Sequence, residues 1–414
     1  MTAPIAIPRI ASFATPIRYM GSKRDIAERV RAAVRELAPE GPAVDLFSGM
    51  GCVAESLADT TSVVTNDSLA FTGALARARF TAAERPRSAA GVITAMQQSY
   101  REHLSHLSAI HRDRLRVETA ASDGTTKALA NYFASSAHVA NSSDVAAEAA
   151  AAEASTGSGR YCLATLYFSC GYFSLRQSIE IDAIRFAIDE LGSPPGERDW
   201  LVAAWLCSLG SAVNAPGHTA QYLKPNNEVV AQRIRRAWRR DIWEDFKNRL
   251  TSLKPVGTVE WRRGNRVEVS DALDLLASAR INDAGVIYAD PPYTRDQYSR
   301  YYHVYETLYR YDFPTSKGVG RTPEPRSVSA FSLKSKVVAA LGQLRDAIAD
   351  LGVPLILSYP SSGLAATKET TVHDLLAQRF AVTTESFTAQ HSTLGASKGS
   401  SRKQVTENIY VCRP

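Results

Sequence analysis

The chain has 414 residues, 45% of them hydrophobic and 22% charged, with a formal net charge of +6. That length exceeds one usual compact core, so a large domain with an inserted or appended second one is expected, of ordinary globular composition. No apolar run is long enough to cross a bilayer, Met1–Ile10 does not read as a signal peptide, and five scattered cysteines without a CxxC spacing argue against disulfides or structural zinc, so a cytoplasmic protein is expected.

In chain order, Ile26, Val30, Val34 and Leu37 recur at helical spacing after Ser22 and Asp25, a capping signature that marks a helix start. Ala43-Val44-Asp45-Leu46-Phe47 is a short apolar run that stops in Ser48-Gly49-Met50-Gly51 and resumes as a helical pattern through Leu57, which reads as strand, tight turn and helix. Val63-Val64-Thr65 reads as a second strand ending at Asn66-Asp67. Two strands flanking a helix open a right-handed parallel α/β unit.

From about Phe71 to Pro255 the pattern becomes helical with few strand signals, and a distinct insert is the simplest account. The expected division is a first core part over 1–72, an inserted target-recognition region over 73–255, and a second core part over 256–414. Within the insert, 134–159 is rich in alanine and serine and is expected to be a mobile loop or a marginal helix. After Pro225, Ile234, Trp238, Ile242, Phe246 and Leu250 make one apolar helical stripe, with Arg233, Arg235, Arg236, Arg239 and Arg240 crowded on its first part. Phosphate contact is the natural use of such a face, and a solvated charged face is the plain alternative. Alternation of strand and helix resumes over Gly264–Val269, Ala272–Leu276 and Gly285–Ala289, and further strands are expected over 353–359, 380–387 and 408–412, the last as an antiparallel C-terminal edge.

Two glycines where a strand turns into a helix let backbone amides approach a ligand, although such turns also use glycine structurally. Asp67, at the end of the next strand, would reach a ribose diol in this geometry. The decisive segment is Asp290-Pro291-Pro292-Tyr293, which follows the apolar strand Gly285–Ala289 and therefore sits at the carboxyl end of the sheet. An exocyclic aromatic amine is a poor nucleophile because its lone pair is delocalised into the ring. A carboxylate from Asp290 and the carbonyl of Pro291 can each accept one amine hydrogen, two prolines stiffen the backbone, and Tyr293 can stack on the base. An ordinary turn is the plain alternative. His391, with Ser392, Thr393 and Gly395, starts a polar loop through Lys398 and Arg402 that could meet DNA or simply be mobile.

The chain resembles the D12-class, or alpha-group, adenine-N6 DNA methyltransferases, as found in restriction-modification systems. The resemblance rests on Arg18-Tyr19-Met20-Gly21-Ser22-Lys23, Asp45 to Gly51, Asn66-Asp67, Asp290 to Tyr293 and Tyr298-Ser299-Arg300-Tyr301-Tyr302-His303. It implies a Rossmann-like class I core, mainly parallel and discontinuous in sequence, carrying a mostly helical recognition domain. It further implies S-adenosyl-L-methionine as cofactor, held by Tyr19, Gly21, Lys23, Asp45, Phe47, Ser48, Gly49, Gly51, Asp67, Asp271 and Asp290. Asp271 is equally well explained as a helix N-cap. Double-stranded DNA is the implied partner, contacted by Tyr172, His218, Gln221, Tyr222, Lys224, Arg235, Arg236, Arg239, Tyr298, Arg300, Tyr301 and His303, with a cognate restriction endonuclease or defence-system component as a further candidate partner and no membrane. Methylation of cytosine N4 or of adenine in RNA poses the same electronic problem, and a non-catalytic specificity subunit or a dinucleotide oxidoreductase could also use the glycine loop. The intact Asp290–Tyr293 argues against the last two.

Overall fold

The structure is a computed structural model whose described residues are 13, 15–20, 26–83, 85–135, 139–141, 144–325, 327–366, 371–391 and 403–414. The apolar runs form strands β1 (Ala43–Asp45), β2 (Val63–Asp67), β3 (Arg266–Val269), β4 (Val286–Ala289), β5 (Leu355–Pro360), β6 (Ala381–His391) and β7 (Lys403–Arg413). They build one seven-stranded sheet in the order β3-β2-β1-β4-β5-β7-β6. β1 to β5 are parallel, with Asp45 opposite Thr65 on one side and Tyr288 on the other. β7 runs antiparallel to both β5 and β6, so the reversed C-terminal strand lies one place in from the edge.

Pleating explains why the central strands read as unbroken apolar runs: each is covered on both faces. Ala43, Val63, Val286, Tyr288 and Ile356 point into a core shared with the helices Ala27–Leu37, Ala70–Phe80, Leu175–Glu190 and Pro195–Ala212. Val44, Val64, Ile287, Ala289 and Leu357 point the other way, against Ala272–Leu276, Val337–Leu351 and Val372–Ala377. This is a doubly wound, Rossmann-like architecture. Its strand order reverses between β1 and β4, which opens a crevice at their carboxyl ends.

The long helical region packs directly on the first of these cores, with Trp200 and Trp205 fully buried beneath the sheet. Helix Ala70–Phe80 runs across residue 72 and follows β2 as an ordinary crossover helix against β3. Within 134–159 the structure holds a helix, Val145–Ala154, whose Val145, Ala149 and Ala152 are buried. Small alanines at helical spacing give a narrow seam that packs without large side chains. The expected single helix after Pro225 is two, Glu228–Trp238 and Ile242–Ser252. Asp241 restarts it, its side chain accepting from the Glu244 N–H at 2.8 Å, while all five stripe residues stay buried. No helix among the described residues is long and apolar enough to cross a membrane.

Candidate active site

Because side chains alternate, Asp45, Asp67, Tyr288 and Asp290 all project to the same face of the sheet, near the carboxyl ends of adjacent strands. The tips are laced together. Leu46 N–H donates to Tyr288 O (3.0 Å), Ser48 N–H to Asn66 O (2.8 Å) and Ser270 N–H to Asp67 O (3.2 Å). Asn66 Nδ2 donates to both Leu46 O (3.0 Å) and Ser270 O (3.2 Å), so one buried amide fixes three strand ends. Asn66 was legible only as part of a motif; its bracing role depends on strand order.

The turn after β1 needs its glycines for two reasons. Gly49 and Gly51 sit at φ +49° and +67°, and a Cβ at Gly49 would come within 2.6 Å of the Tyr19 ring, while one at Gly51 would meet Phe80 at 2.5 Å. Gly49 lines a cavity of about 530 Å³, together with Tyr19, Asp45, Phe47, Ser48, Asp67, Asp271, Asp290 and Pro292. Gly51 does not line it; it sits against Phe80 as a packing glycine, which corrects its expected cofactor role. Gly21 and Lys23 lie outside the described residues.

The Asp67 carboxylate accepts from Gly49 N–H (3.0 Å), Leu69 N–H (2.9 Å) and the Tyr19 hydroxyl (3.4 Å). Burial outweighs these bonds and raises its pKa to about 6. Burial, then the neighbouring Asp290 charge, holds the Asp45 carboxyl well above the usual carboxylate range. Asp45 Oδ1 is buried without a hydrogen-bond partner, so the cavity holds an acceptor suited to a cationic or donor group. Asp271 does two things at once: it lines the cavity and caps Ala272–Leu276, accepting from Leu273 N–H at 2.9 Å.

Asp290 Oδ1 accepts from Ser358 Oγ at 2.9 Å. Pro291 is buried behind it. Tyr293 is half-buried, lies outside the cavity lining, and meets Tyr359 edge-on at 6.4 Å, with Leu364 N–H donating to its carbonyl at 3.0 Å.

Several residues expected at DNA lie elsewhere. Tyr298 lines the cavity beside Tyr19, their ring centroids 5.4 Å apart, and donates to Met20 O at 3.3 Å. It is a wall of the cavity. Tyr302, absent from the expected site, stacks on Tyr19 at 4.4 Å and accepts the Met20 N–H at 2.7 Å. Tyr172 is 1% exposed and donates to Thr219 O at 2.6 Å, and His303, also buried, reaches the same hydroxyl at 3.3 Å while bordering the cavity. These two brace the loop that carries His218; neither reaches the surface. Arg235 is 5% exposed, with Nε on Ser122 O (2.8 Å) and an Nη on Gly124 O (2.9 Å). It therefore leaves the expected set of phosphate contacts: its charge is spent on carbonyls at the end of helix Arg112–Asp123.

Arg236, Arg239, Arg300, Gln221 and Lys224 are exposed and Tyr222 is half-buried against Tyr172. The His218 ring stacks on Tyr301 at 4.4 Å, and Thr219 N–H donates to Tyr301 O at 2.6 Å, which joins the helical region to the segment after Asp290. Sequence reasoning also missed Glu306, whose carboxylate accepts from Ala70 and Phe71 N–H at 3.1 Å each and borders the cavity. Nothing local signals a cap that reaches back over two hundred residues. The loop after His391, residues 392–402, lies outside the described residues.

Residues 245–344, spanning β4 and Asp290–Tyr293, match the family model of D12 class N6 adenine-specific DNA methyltransferases. The chain is similar to modification methylase LlaI of Lactococcus lactis subsp. lactis, 23% identical over 375 residues, which is 88% of this chain and 49% of that protein. Type II methyltransferase M.FokI of Planomicrobium okeanokoites is 23% identical over 362 residues, 85% of this chain and 46% of the relative. Modification methylase StsI of Streptococcus sanguinis is 29% identical over 109 residues, 26% of this chain and 16% of the relative. The chain thus spans about half the length of the first two relatives.

Proposed function

We propose that this chain is a site-specific DNA methyltransferase acting on the N6 amine of adenine in duplex DNA, with S-adenosyl-L-methionine as methyl donor. One observation carries the reading: Asp290 and Pro292 open into the same cavity as the Gly49 turn, Asp45 and Asp67. A cavity of about 530 Å³ with an unpartnered buried carboxylate oxygen and aromatic walls fits a cationic nucleoside. Asp45 would face the ammonium end, Asp67 would accept from the ribose diol, and Asp271 would meet the adenine edge. When bound, the cofactor supplies a methyl group on a sulfonium, passed to the amine as the carbon–sulfur bond breaks.

The chain's own part is to sharpen the amine. Asp290 and the Pro291 carbonyl accept its two hydrogens and localise the lone pair, and the extra proton leaves to solvent after transfer. The adenine must leave the duplex to reach them. We place duplex contact on the exposed Gln221, Lys224, Arg236, Arg239 and Arg300, with the His218–Tyr301 stack beside them, and take the helices between Ala89 and Ser252 as the recognition region. Relatives named as modification methylases support a restriction-modification setting with a cognate endonuclease. Incubation with labelled S-adenosylmethionine and unmethylated genomic DNA, followed by base mapping, tests the reading. N6-methyladenine at a fixed sequence is expected; N4-methylcytosine, or label in RNA alone, would replace it with the other amine chemistry.

A further inference from the structure

Asp290 is held by more than its own strand. β4 and β5 are parallel neighbours, with Ala289 opposite Leu357, so the next pair along brings Asp290 beside Ser358. Ser358 is fully buried, and its hydroxyl donates to Asp290 Oδ1 at 2.9 Å. The same Ser358 oxygen lies 3.0 Å from the hydroxyl of Tyr288, which is 2% exposed. A serine hydroxyl has one proton. Since it goes to the carboxylate, the Tyr288 hydroxyl must be the donor to Ser358.

From this chain of contacts we infer that Tyr288 and Ser358 form a directional hydrogen-bond relay, Tyr288 O–H to Ser358 O–H to the Asp290 carboxylate, which fixes the rotation of the carboxylate toward the target amine and keeps it ionised. The inference rests on the amine-methylating role given to Asp290 above. Three features carry it. Donation to an ionised acceptor is charge-assisted, so the bond to Asp290 is the strong member. Donation from Tyr288 polarises the serine hydroxyl and strengthens the next bond. Ser358 is buried outside the cavity lining, and Tyr288, which borders the cavity, reaches Asp290 through the Ser358 hydroxyl, so both are positioning residues rather than catalytic ones.

The relay has electrostatic work to do, because Asp290 faces the Asp45 carboxylate as well as the hydroxyls of Tyr288 and Tyr298. Burial and the Asp290 charge raise the Asp45 carboxyl, and a donor aimed at Asp290 favours the charged form at Asp290. Burial and the Asp290 charge hold the Tyr288 hydroxyl far above its ordinary pKa, so it remains a donor across the working range.

The test is single-turnover methyl transfer to genomic DNA against pH, with S-adenosylmethionine affinity measured separately, for Ser358→Ala, Ser358→Thr and Tyr288→Phe. Ser358→Ala is expected to bind cofactor and DNA normally while transfer slows roughly ten- to a hundredfold. Its acidic limb should move to higher pH, because a carboxylate that has lost a donor protonates more readily. Tyr288→Phe should shift both readouts in the same direction by less, and Ser358→Thr, which keeps the hydroxyl, should restore most of the rate. A Ser358→Ala protein with wild-type cofactor affinity, rate and acidic limb overturns the relay. Should that variant not fold, Tyr288→Phe, which removes one oxygen, decides alone: an unmoved rate and limb overturn it. If instead the wild-type protein makes no N6-methyladenine, the proposed reaction itself fails, an outcome distinct from an active enzyme whose variants are unaffected.

Discussion

At the tips of β1, β2 and β3, a few residues are held from several sides at once, Asn66 by two carbonyls and Asp67 by three donors. The helical region presents the opposite: Arg236, Arg239, Lys224 and Gln221 are exposed, while the residues beneath them, Tyr172 and Arg235, are locked into packing. A small cofactor demands a preformed pocket, whereas a duplex can be met by long side chains that settle on contact. Rigidity sits where atoms must be placed to fractions of an ångström, and reach sits where charge alone matters. Substitutions on the two sides should therefore fail in different ways.

The largest effect is expected at Asp290. Asp290→Ala should lower methyl transfer by about a thousandfold or more while cofactor binding, followed by calorimetry, is largely kept. Near wild-type turnover would remove the carboxylate from the chemistry. At the turn, Gly49→Ala places a Cβ 2.6 Å from Tyr19 Cε1 at φ +49°. Strain of about 1–2 kcal/mol, plus the displaced ring, should weaken S-adenosylmethionine binding by roughly tenfold or more. A substitution at Gly51 should instead lower the melting temperature, since its neighbour is the core residue Phe80.

These two regions also differed in how far they could be read from the sequence. The tips were legible because their constraints are local: glycines at a strand-to-helix turn, an acid closing each strand, and prolines after Asp290 follow from backbone chemistry within a few residues. What is not local was misjudged. Arg235 and Arg236 are adjacent and identical in kind, yet one is buried under the end of a helix and the other exposed, a distinction set by helix phase against a distant partner. Tyr298 belongs to the cavity because Tyr19, far away in sequence, stacks into the same aromatic group. Ser358 and Glu306 act through strand order and a long-range cap, which no pattern in the chain announces.

The arginine pair supplies the next test. Arg235→Ala would leave the carbonyls of Ser122 and Gly124 without donors, at about 2 kcal/mol of folding stability, with little change in the salt dependence of DNA binding. Replacing Arg236, Arg239 and Arg240 together should leave the melting temperature alone and flatten the slope of log affinity against log salt by up to roughly three units. Swapped outcomes would break the division between packing and reach.

The smallest effect expected is in pH. The Asp67 pKa is raised by burial to about 6 in the ligand-free protein. In the unfolded chain it would be an ordinary aspartate near 3.8, so the neutral form is favoured on folding, and the stability this residue contributes is present at low pH and lost as pH rises through about 6. Under the proposed contact of Asp67 with the cofactor ribose, cofactor binding has the opposite sign, since a diol donates best to an ionised acceptor. Affinity for S-adenosylmethionine should be level above neutrality and fall as pH drops through about 6, by roughly tenfold at one unit below. Asp67→Asn should bind more weakly at neutral pH and lose that slope, which calorimetry at several pH values would show. A slope that persists in Asp67→Asn would move the titrating group to Asp45, whose carboxyl is raised in the same direction and faces the same cavity.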